Sequence, residues 1–459
     1  MLRFTWNVRN ERRRGIIAVF VAVCLTALIG VVAIAIDGGM LYDQLRKGRA
    51  TADAAAMAAA SDLFQNYPAN QGRDPGYTAH AAALAVASAN GYTNDGVNST
   101  VTVNIPPTSG IYAGLAGYVE VIVTYNVQRG FSRIWSGAAI PVTDRAVARG
   151  AWVSPNAGVL ILNYQGKGTL NSQGNGAFTE TGGPVIVNSN NSSALVDTGN
   201  GTMYAPEFDI TGGSQLGGNA ILATTPIPGQ IYTGVHPSPD PLAYLPPPAV
   251  PPDGTMTVTN LGSGNKQYVL SPGRYTNLPT FNTGDVVILQ QASANGNGGI
   301  FYIDGGGFKS TGATITMDPN TTGGVMIYNA PQSSSTSEKI QITGNASGTV
   351  NLSPLTSGPY AGLVLWQDRN SPVDLLVEGN GAFTIDGTFY AAGAKLDING
   401  NGSTTTGYYI DDNGNQVWGA SRIGSQYISL DLSLGGNGNI NIHYMGPNAA
   451  KTRIIALVE

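Results

Sequence analysis

Thiol, imidazole and charged side chains are scarce in this sequence, and their scarcity excludes several kinds of site. The single cysteine, Cys24, rules out a disulfide within the chain and a metal cluster built on thiolates. The three histidines, His80, His236 and His443, are far apart in the chain, which argues against a histidine-based zinc site. Charged residues make up 11% of the chain, against roughly 25% in an average soluble domain. We therefore expect no metal and no cofactor.

The charges are also distributed unevenly along the chain. Residues 1–154 carry 13 Lys and Arg against 9 Asp and Glu, whereas residues 155–459 carry 10 against 19. The longer part therefore has a net charge of −9, and its mildly acidic character gives no indication of nucleic-acid binding.

Glycine and proline are abundant, with 62 and 26 residues, and apolar residues make up 42% of the chain. This composition suffices for packed cores and favours a β-rich, turn-rich architecture. A length of 459 residues predicts two or three folded units.

Residues 15–36 read GIIAVFVAVCLTALIGVVAIAI and contain no charge. As a helix, these 22 residues rise about 33 Å, enough to cross a hydrocarbon core of roughly 30 Å. Basic residues before the segment (Arg12, Arg13 and Arg14, with Arg3 and Arg9) outnumber those that follow it (Arg46, Lys47 and Arg49), which predicts a cytoplasmic N-terminus. We expect a basic cytoplasmic tail over 1–14, a transmembrane helix over 15–36, and export of the remainder. Single-pass anchoring in the inner (cytoplasmic) membrane makes membrane lipid the first partner.

The alternative to an anchor is a cleaved signal peptide. Its apolar region is normally about 7–15 residues long and ends at a small-x-small site. Here the apolar run is longer and passes directly into Asp37-Gly38-Gly39, so an uncleaved anchor is the better interpretation.

The stretch from RRRGIIAVF through AIDGGMLY to ADAAAMAAA, Arg12 to Ala60, resembles the N-terminus of TadE/TadG-like proteins. These are membrane-anchored, pilin-like components of Flp/Tad pilus assembly systems. The resemblance implies a helix that packs among similar helices, with pilin-like or pilus-platform membrane proteins as partners. We expect this helix to continue to about residue 64 after a break near Gly38-Gly39.

Two features depart from the family's pattern. Gly15 stands where prepilin-type processing would occur, but Phe20 occupies the fifth position, where such sites carry glutamate. The string Asp431-Leu432-Ser433-Leu434-Gly435 lacks the second serine of the D-x-S-x-S metal site that many TadG-like proteins carry in a von Willebrand factor A domain. Processing at Gly15 is therefore not expected, and the domain is rejected.

The residue pattern over 37–155 predicts an α+β region, which the resemblance implies to be pilin-like. Asp74-Pro75 is a helix-start signal and Asn90-Gly91 a stop signal, and strands are predicted over 101–105, 118–125 and 140–153. Phe131 and Trp135 are expected to be core anchors. A helix or two packed on a small sheet satisfies this pattern.

Residues 156–459 predict an all-β domain. Short strand-like runs alternate with recurring Gly-Asn-Gly turns, such as residues 174–176, 199–201 and 436–438. This repetition predicts a β-solenoid in the form of a right-handed parallel β-helix, with apolar side chains stacked inside. We expect glycine and asparagine to take left-handed turn conformations and the asparagines to form a ladder.

A proline-rich insertion, residues 224–254, interrupts this pattern. It cannot be a central strand, so we expect an extended segment that lies along the solenoid wall or leads into a second group of strands. Its DPL…LPPP loop and a later QDRN segment resemble, loosely, C-terminal regions of TadG-like proteins.

Candidate reactive residues are few. Asp368 and Arg369, in LVLWQDRNSP, form either a surface site or a loop ion pair outside a buried strand. Asp411 and Asp412, in YYIDDNGNQ, resemble a calcium loop, but the required spacing is not met, so a turn is favoured. No catalytic constellation emerges from the sequence.

Three hypotheses follow. The first is a membrane-anchored, non-enzymatic component of a Tad/Flp-type pilus assembly or secretion system, whose exported solenoid is a structural or adhesive surface. The second is a membrane-tethered β-helix that binds or cleaves carbohydrate, with surface polysaccharide as partner. The third is a structural cell-envelope protein with no pilus role. Converging carboxylates in a cleft would favour the second hypothesis, and a featureless wall the first.

Overall fold

The structure, a computed structural model, describes residues 12–134, 136–153, 157–224, 230–291, 298–344, 348–379, 382–400, 408–410, 416–418, 421–444, 446 and 448–459. The helices are α1 (Arg12–Gln65), α2 (Tyr67–Asn70) and α3 (Thr78–Ala89), with 3-10 helices at Phe131–Ile134 and Thr336–Glu338. The first strands are β1 (Ser99–Asn104), β2 (Tyr118–Val127), β3 (Ile140–Val153), β4 (Val159–Ile161), β5 (Leu170–Ser172), β6 (Ala177–Thr181), β7 (Val185–Val187), β8 (Leu195–Asp197), β9 (Thr202–Ala205), β10 (Glu207–Ile210), β11 (Ser214–Leu216) and β12 (Ile221–Thr224). Next come β13 (Gln230–Thr233), β14 (Met256–Gly262), β15 (Asn265–Leu270), β16 (Gly273–Tyr275), β17 (Phe281–Asn282), β18 (Val286–Leu289), β19 (Ile300–Asp304), β20 (Phe308–Thr311), β21 (Thr314–Met317), β22 (Met326–Ala330), β23 (Ile340–Thr343) and β24 (Thr349–Leu352). The last are β25 (Leu363–Gln367), β26 (Leu375–Gly379), β27 (Ala382–Ile385), β28 (Thr388–Gly400), β29 (Tyr408–Ile410), β30 (Gln416–Trp418), β31 (Ser421–Ile423), β32 (Gln426–Gly435), β33 (Ile440–His443) and β34 (Thr452–Leu457).

The chain forms two compact units. Unit 1 comprises residues 1–152 together with 453–459, and unit 2 comprises residues 153–452. Strand β34, near the C-terminal end of the chain, belongs to the sheet of unit 1.

Helix α1 is one continuous helix of 54 residues, about 81 Å long at 1.5 Å per residue. The predicted break at Gly38-Gly39 was therefore wrong. Each glycine lowers helix stability by only about 1 kcal/mol relative to alanine, and long helical stretches on both sides outweigh that cost.

Alanine lines the contact between α1 and the rest of unit 1. Five alanines of α1 are fully buried, as are three of α3, and they pack on valines of a four-stranded sheet ordered β1-β2-β3-β34. A Cβ on Gly150 of β3 would lie 1.8 Å from the carbonyl oxygen of Ala60, so glycine is required where the helix crosses the sheet. The three predicted strands are confirmed as β1, β2 and β3, which pair antiparallel.

Helix α3 ends at Ala89, before Asn90-Gly91, as predicted. It begins at Thr78, three residues after the predicted proline, yet Asp74 still satisfies its N-terminus, because the carboxylate accepts a hydrogen bond from the backbone N–H of His80 at 2.9 Å.

Unit 2 is an all-β region built from three lines of strands. Successive strands along the chain enter the first, second and third line in turn, and neighbours within a line are parallel. The exceptions are β14, which pairs antiparallel with β15, and the strands β29 and β30, which form a separate antiparallel pair. In spatial order, the first line is β13-β10-β7-β4-β32-β28-β25-β22-β19-β16. The second is β11-β8-β5-β32-β28-β26-β23-β20-β17, with β28 and β32 long enough to serve both lines. The third is β12-β9-β6-β33-β31-β27-β24-β21-β18-β15, closed by the antiparallel strand β14.

Apolar side chains stack in register inside unit 2. In the first line the inner positions run Phe301, Ile327, Leu365, Phe389, Tyr427, Val159, Val185 and Phe208, each paired with the next. All eight belong to one buried cluster that also collects the inward residues of the other two lines. Burial of these rows is the main stabilising contribution to unit 2.

The strand order within the lines differs from the chain order at one place. The first strands of unit 2 lie beside the last: β4 pairs with β32 and β6 with β33. Strands β4 to β13 extend the lines in one direction, and the chain then returns to the opposite end, where β14 begins. Residues 234–254, the part of the proline-rich segment that follows β13, make this return.

The Gly-Asn-Gly turns stack where the lines are joined. Asn437, Asn175, Asn200 and Asn219 form a ladder of side-chain hydrogen bonds of 2.8, 3.0 and 3.2 Å. The glycines allow close approach, since a Cβ on Gly199 would lie 1.9 Å from the carbonyl oxygen of Gly174. The predicted ladder is confirmed. The predicted left-handed conformation was wrong for these asparagines, because no asparagine among the described residues has a positive φ.

Candidate functional sites

The N-terminal part of α1 is a candidate membrane span. It is long and apolar enough to cross a bilayer, and its large apolar side chains are exposed, among them Phe20, Leu28 and Ile34. The predicted topology residues (Arg12, Arg13 and Arg14) and Gly15 lie in the first residues of α1. Charged residues return at Asp37, directly after the predicted span.

The outer face of the first line in unit 2 carries a second buried cluster. One residue out of step with the inner row, Tyr302, Tyr328, Trp366 and Tyr390 occupy paired positions on successive strands. Their ring centroids are 5.0, 5.3 and 5.5 Å apart, and the Trp366 ring meets both neighbours edge to face. Strands buried on both faces explain the continuous apolar runs IFYI, VMIY and LVLW in the sequence.

The proline-rich segment covers this outer face. Its Leu242 and Leu245 are buried in the same cluster as Trp366 and Tyr390. Ser238 exchanges two hydrogen bonds with Asn188, at 2.6 and 2.8 Å, just after β7, and Asp253 pairs with Arg274 of β16 at 2.7 Å. The segment therefore runs along the first line from β7 to β16, which confirms the predicted position along the wall.

Arg369, one of the predicted surface residues, holds the segment in place. Its guanidinium donates hydrogen bonds to the carbonyl oxygens of Leu242 at 2.9 Å and Leu245 at 3.4 Å, and to the hydroxyl of Tyr390 at 2.7 Å. The Tyr390 hydroxyl in turn donates to the Asp240 carboxylate at 2.7 Å. Burial, with the neighbouring Asp240 charge, raises the pKa of Tyr390, so the phenol stays protonated as this donor.

Asp368 has different partners from its neighbour. Its carboxylate accepts hydrogen bonds from the Tyr328 hydroxyl and from the backbone N–H of Asn370, the latter at 2.8 Å. Burial, followed by the Asp368 contact, raises the pKa of Tyr328. Asp368 and Arg369 thus each bind the outer aromatic row instead of forming one site. The other predicted pair, Asp411 and Asp412, lies outside the described residues.

Two open grooves flank these contacts. The larger, about 550 Å³, is lined by Asn163, Tyr164, Gln165, Asp240 and Arg369 together with Leu162, Ala392 and Leu430. The smaller, about 300 Å³, includes Asp368, Asn370 and Ser333. Their linings offer amide, hydroxyl and charged groups, the last from Asp240, Arg369 and Asp368.

Carboxylates gather at one other place, on the second line. Asp374 and Asp397 both approach the ammonium of Lys395, at 3.4 and 3.3 Å, and Lys395 is paired in register with Asp431. Asp431 belongs to the string considered above for a metal site, and it accepts a hydrogen bond from Asn163 at 2.9 Å. Within the described ranges, no three His, Cys, Asp or Glu side chains are placed to hold a metal ion.

Sequence reasoning missed the network of Asp240, Tyr390 and Arg369. A signal for it was available, since the DPL…LPPP and QDRN segments were both singled out, but nothing in the sequence linked them. It also missed Glu180, whose side chain is fully buried inside unit 2 and whose pKa burial raises well above the ordinary value.

Comparison with known proteins found no matching family model, no similar curated protein and no similar solved structure.

Proposed function

We propose that the chain is a membrane-anchored, non-enzymatic component of a Tad/Flp-type pilus assembly or secretion system. The observation that carries the proposal is α1 itself. One uninterrupted helix has an apolar, exposed N-terminal part and an alanine-rich part buried against a four-stranded sheet. Such a helix both anchors the chain and presents a surface to neighbouring helices.

The proposed topology is a single pass with a cytoplasmic N-terminus. The basic tail over 1–14 stays in the cytoplasm, residues 15–36 span the inner membrane, and both units lie in the periplasm or outside the cell. The helix remains uncleaved and unprocessed at Gly15, since Phe20 replaces the expected glutamate.

Unit 2 is proposed to be a right-handed parallel β-helix that serves as a structural or adhesive surface. Three lines of parallel strands, entered in turn by successive strands, support this assignment. The right hand follows from the strong preference of parallel crossover connections for that hand. Outside the cytoplasm, the grooves and exposed polar residues of unit 2 would be available to bind a partner.

Carbohydrate cleavage receives less support from the grooves. Hydrolysis of a glycoside requires two carboxyl groups across the scissile bond. Asp240 is the one carboxylate among the residues that line the larger groove, and it accepts a hydrogen bond from Tyr390. Asp368 plays the same part for Tyr328 at the smaller groove.

Site-specific photo-crosslinking in cells tests the assembly role. A photoreactive phenylalanine analogue replaces Tyr42, which is 65% exposed on α1 beyond the span. The expected result is capture of pilin-like or pilus-platform membrane proteins by a chain of full mass. The matched control is the same analogue at Tyr77, 71% exposed at the start of α3, which should not capture them.

Two outcomes would contradict the proposal. One is a shortened chain in the medium, which would show that the apolar segment is a signal peptide. The other is equal capture of unrelated proteins at Tyr42 and Tyr77, which would leave the helix without a specific partner.

A further inference from the structure

The connection between β2 and β3 contacts α1 at the level where the apolar span ends. Its 3-10 helix, Phe131–Ile134, lies beside Asp37, the first charged residue after the span. The Asp37 carboxylate accepts hydrogen bonds from the backbone N–H groups of Phe131 at 2.9 Å and Ser132 at 2.7 Å. Residues 128–139 are called the membrane-side loop below.

The contact is built to be close. A Cβ on Gly130 would lie 2.5 Å from an oxygen of Asp37, so a larger residue there would displace the carboxylate from its hydrogen bonds. Hydrogen bonds from Ser132 lower the pKa of Asp37, so the carboxylate stays ionised as their acceptor. The membrane-side loop is thus fixed at one height along α1.

Large apolar side chains of this loop are exposed. Ile134 is 80% exposed and Phe131 51%, so the prediction that Phe131 is a core anchor was wrong; Trp135 lies outside the described residues. Arg133 is also exposed, and Arg129 donates a hydrogen bond to the carbonyl oxygen of Ala138 at 2.8 Å. Apolar tips beside arginines are the chemistry of a membrane interface, where rings enter the acyl boundary and guanidinium groups meet phosphates.

We propose that the membrane-side loop is a second membrane contact, in which Phe131 and Ile134 insert into the headgroup region of the bilayer that α1 spans. This inference rests on the anchoring role proposed above, because the height of the loop is set by Asp37 at the end of the span. A second contact off the helix axis restricts tilt and rotation of unit 1 relative to the membrane, which a single helix does not.

Depth measurement in pure lipid vesicles tests the inference with full-length protein. Cys24 is replaced by alanine, single cysteines are introduced by Ile134→Cys, Leu28→Cys and Ile111→Cys, and each is labelled with the environment-sensitive fluorophore NBD. Ile111 is the matched control, since it is an isoleucine 82% exposed in the β1–β2 connection. It lies at the other end of β2, about 30 Å away along a ten-residue strand.

The proposal predicts blue-shifted emission at position 134 and quenching by lipid-borne nitroxides about twofold or more above that at position 111, as expected for a depth of 5–10 Å. Asp37→Ala should reduce the quenching at 134 without changing that at 28. Because residue 28 lies within the proposed span, its label tests whether α1 crosses the bilayer independently of the membrane-side loop.

The outcomes separate the two proposals. Deep labelling at 28 with solvent-like emission at 134 would overturn the second contact and leave the anchor intact. Solvent-like emission at 28 would overturn the anchor itself. Protection at 134 in cell membranes, but not in vesicles of lipid alone, would assign the loop to a protein partner and also overturn the lipid contact.

Discussion

The two units reach dense packing by opposite means. Unit 1 brings backbones together with small side chains, and its helix-to-sheet contact is made of alanine, valine and glycine. Unit 2 keeps its strand lines apart and fills the space with Phe, Tyr, Trp, Leu and Ile in stacked rows on both sides of the first line. We therefore expect the core of unit 1 to be destabilised mainly by larger side chains, and the core of unit 2 mainly by smaller ones.

The buried glutamates of the two units also differ, in the direction of their pKa shifts. Glu120 of unit 1 accepts hydrogen bonds from Asn104, Thr108, Ser109 and Arg145. Burial acts to raise its pKa, but the hydrogen bonds from Ser109, Asn104 and Arg145 outweigh it and lower the pKa to about 2. Glu180 of unit 2 is also fully buried, no described Lys or Arg forms an ion pair with it, and burial raises its pKa. Unit 1 therefore stabilises the ionised form of its buried glutamate, whereas unit 2 favours the neutral form.

The largest expected effect comes from removing volume in unit 2. Trp366→Ala would empty the middle of the outer aromatic row, where the indole is fully buried between Tyr328 and Tyr390. We expect unit 2 to lose about 3–5 kcal/mol of unfolding free energy. Chemical denaturation of the detergent-solubilised chain, followed by hydrogen exchange, measures the loss and locates it.

The control is Tyr164→Ala, because Tyr164 is an exposed aromatic residue of the same unit. A loss at position 366 no larger than at position 164 would show that the proline-rich segment does not cover the row in solution.

Adding volume in unit 1 should have the next largest effect. Ala56→Leu places three extra carbons where α1 packs fully buried against its neighbours, and overpacking of this kind costs about 1–3 kcal/mol. Hydrogen exchange of β1 to β3 should accelerate. Ala54→Leu, an exposed neighbour on the same helix, should leave exchange unchanged. Equal behaviour of the two variants would show that the helix-to-sheet contact is loose.

The sequence was informative where the pattern is local and repeated. Alternation and turn residues located β1, β2 and β3, and the Gly-Asn-Gly turns correctly indicated stacking with an asparagine ladder. Inner rows of apolar residues followed from the same pattern. Each of these features depends on residues within one strand or one turn, so a single sequence suffices to read it.

Pairing between distant segments was beyond the sequence. Several near-identical turns exist, and nothing local states that residue 175 lies beside residue 437 and not beside another asparagine. Similar strings do not mark equivalent positions: GTMYA, residues 201–205, contains strand β9 of the third line, whereas GTFYA, residues 387–391, leads into β28 of the first line. Arg369 binds the carbonyl oxygens of Leu242 and Leu245, which lie more than 120 positions away in the chain. Neither predicted alternative, a surface site or a loop ion pair with Asp368, described this role.

The smallest expected effect concerns pH and sharpens the contrast between the two glutamates. A carboxyl whose pKa rises on folding contributes stability that is complete below its ordinary value, 4.5 for glutamate, and declines as pH rises above it. Unit 2 should therefore become less stable as the pH rises above 4.5 on account of Glu180, and Glu180→Gln should remove that slope. The pH dependence due to Glu120 has the opposite sign, because its pKa is lowered on folding. Its contribution to stability is present above pH 4.5 and is lost as the pH falls toward 2. Glu120→Gln should therefore reduce the loss of unit 1 stability at acidic pH. Denaturation of both variants and the parent chain from pH 3 to pH 8 measures the two slopes. Parallel slopes in the two units would mean that Glu180 finds a charge partner in solution, and the contrast between the units would then be confined to packing.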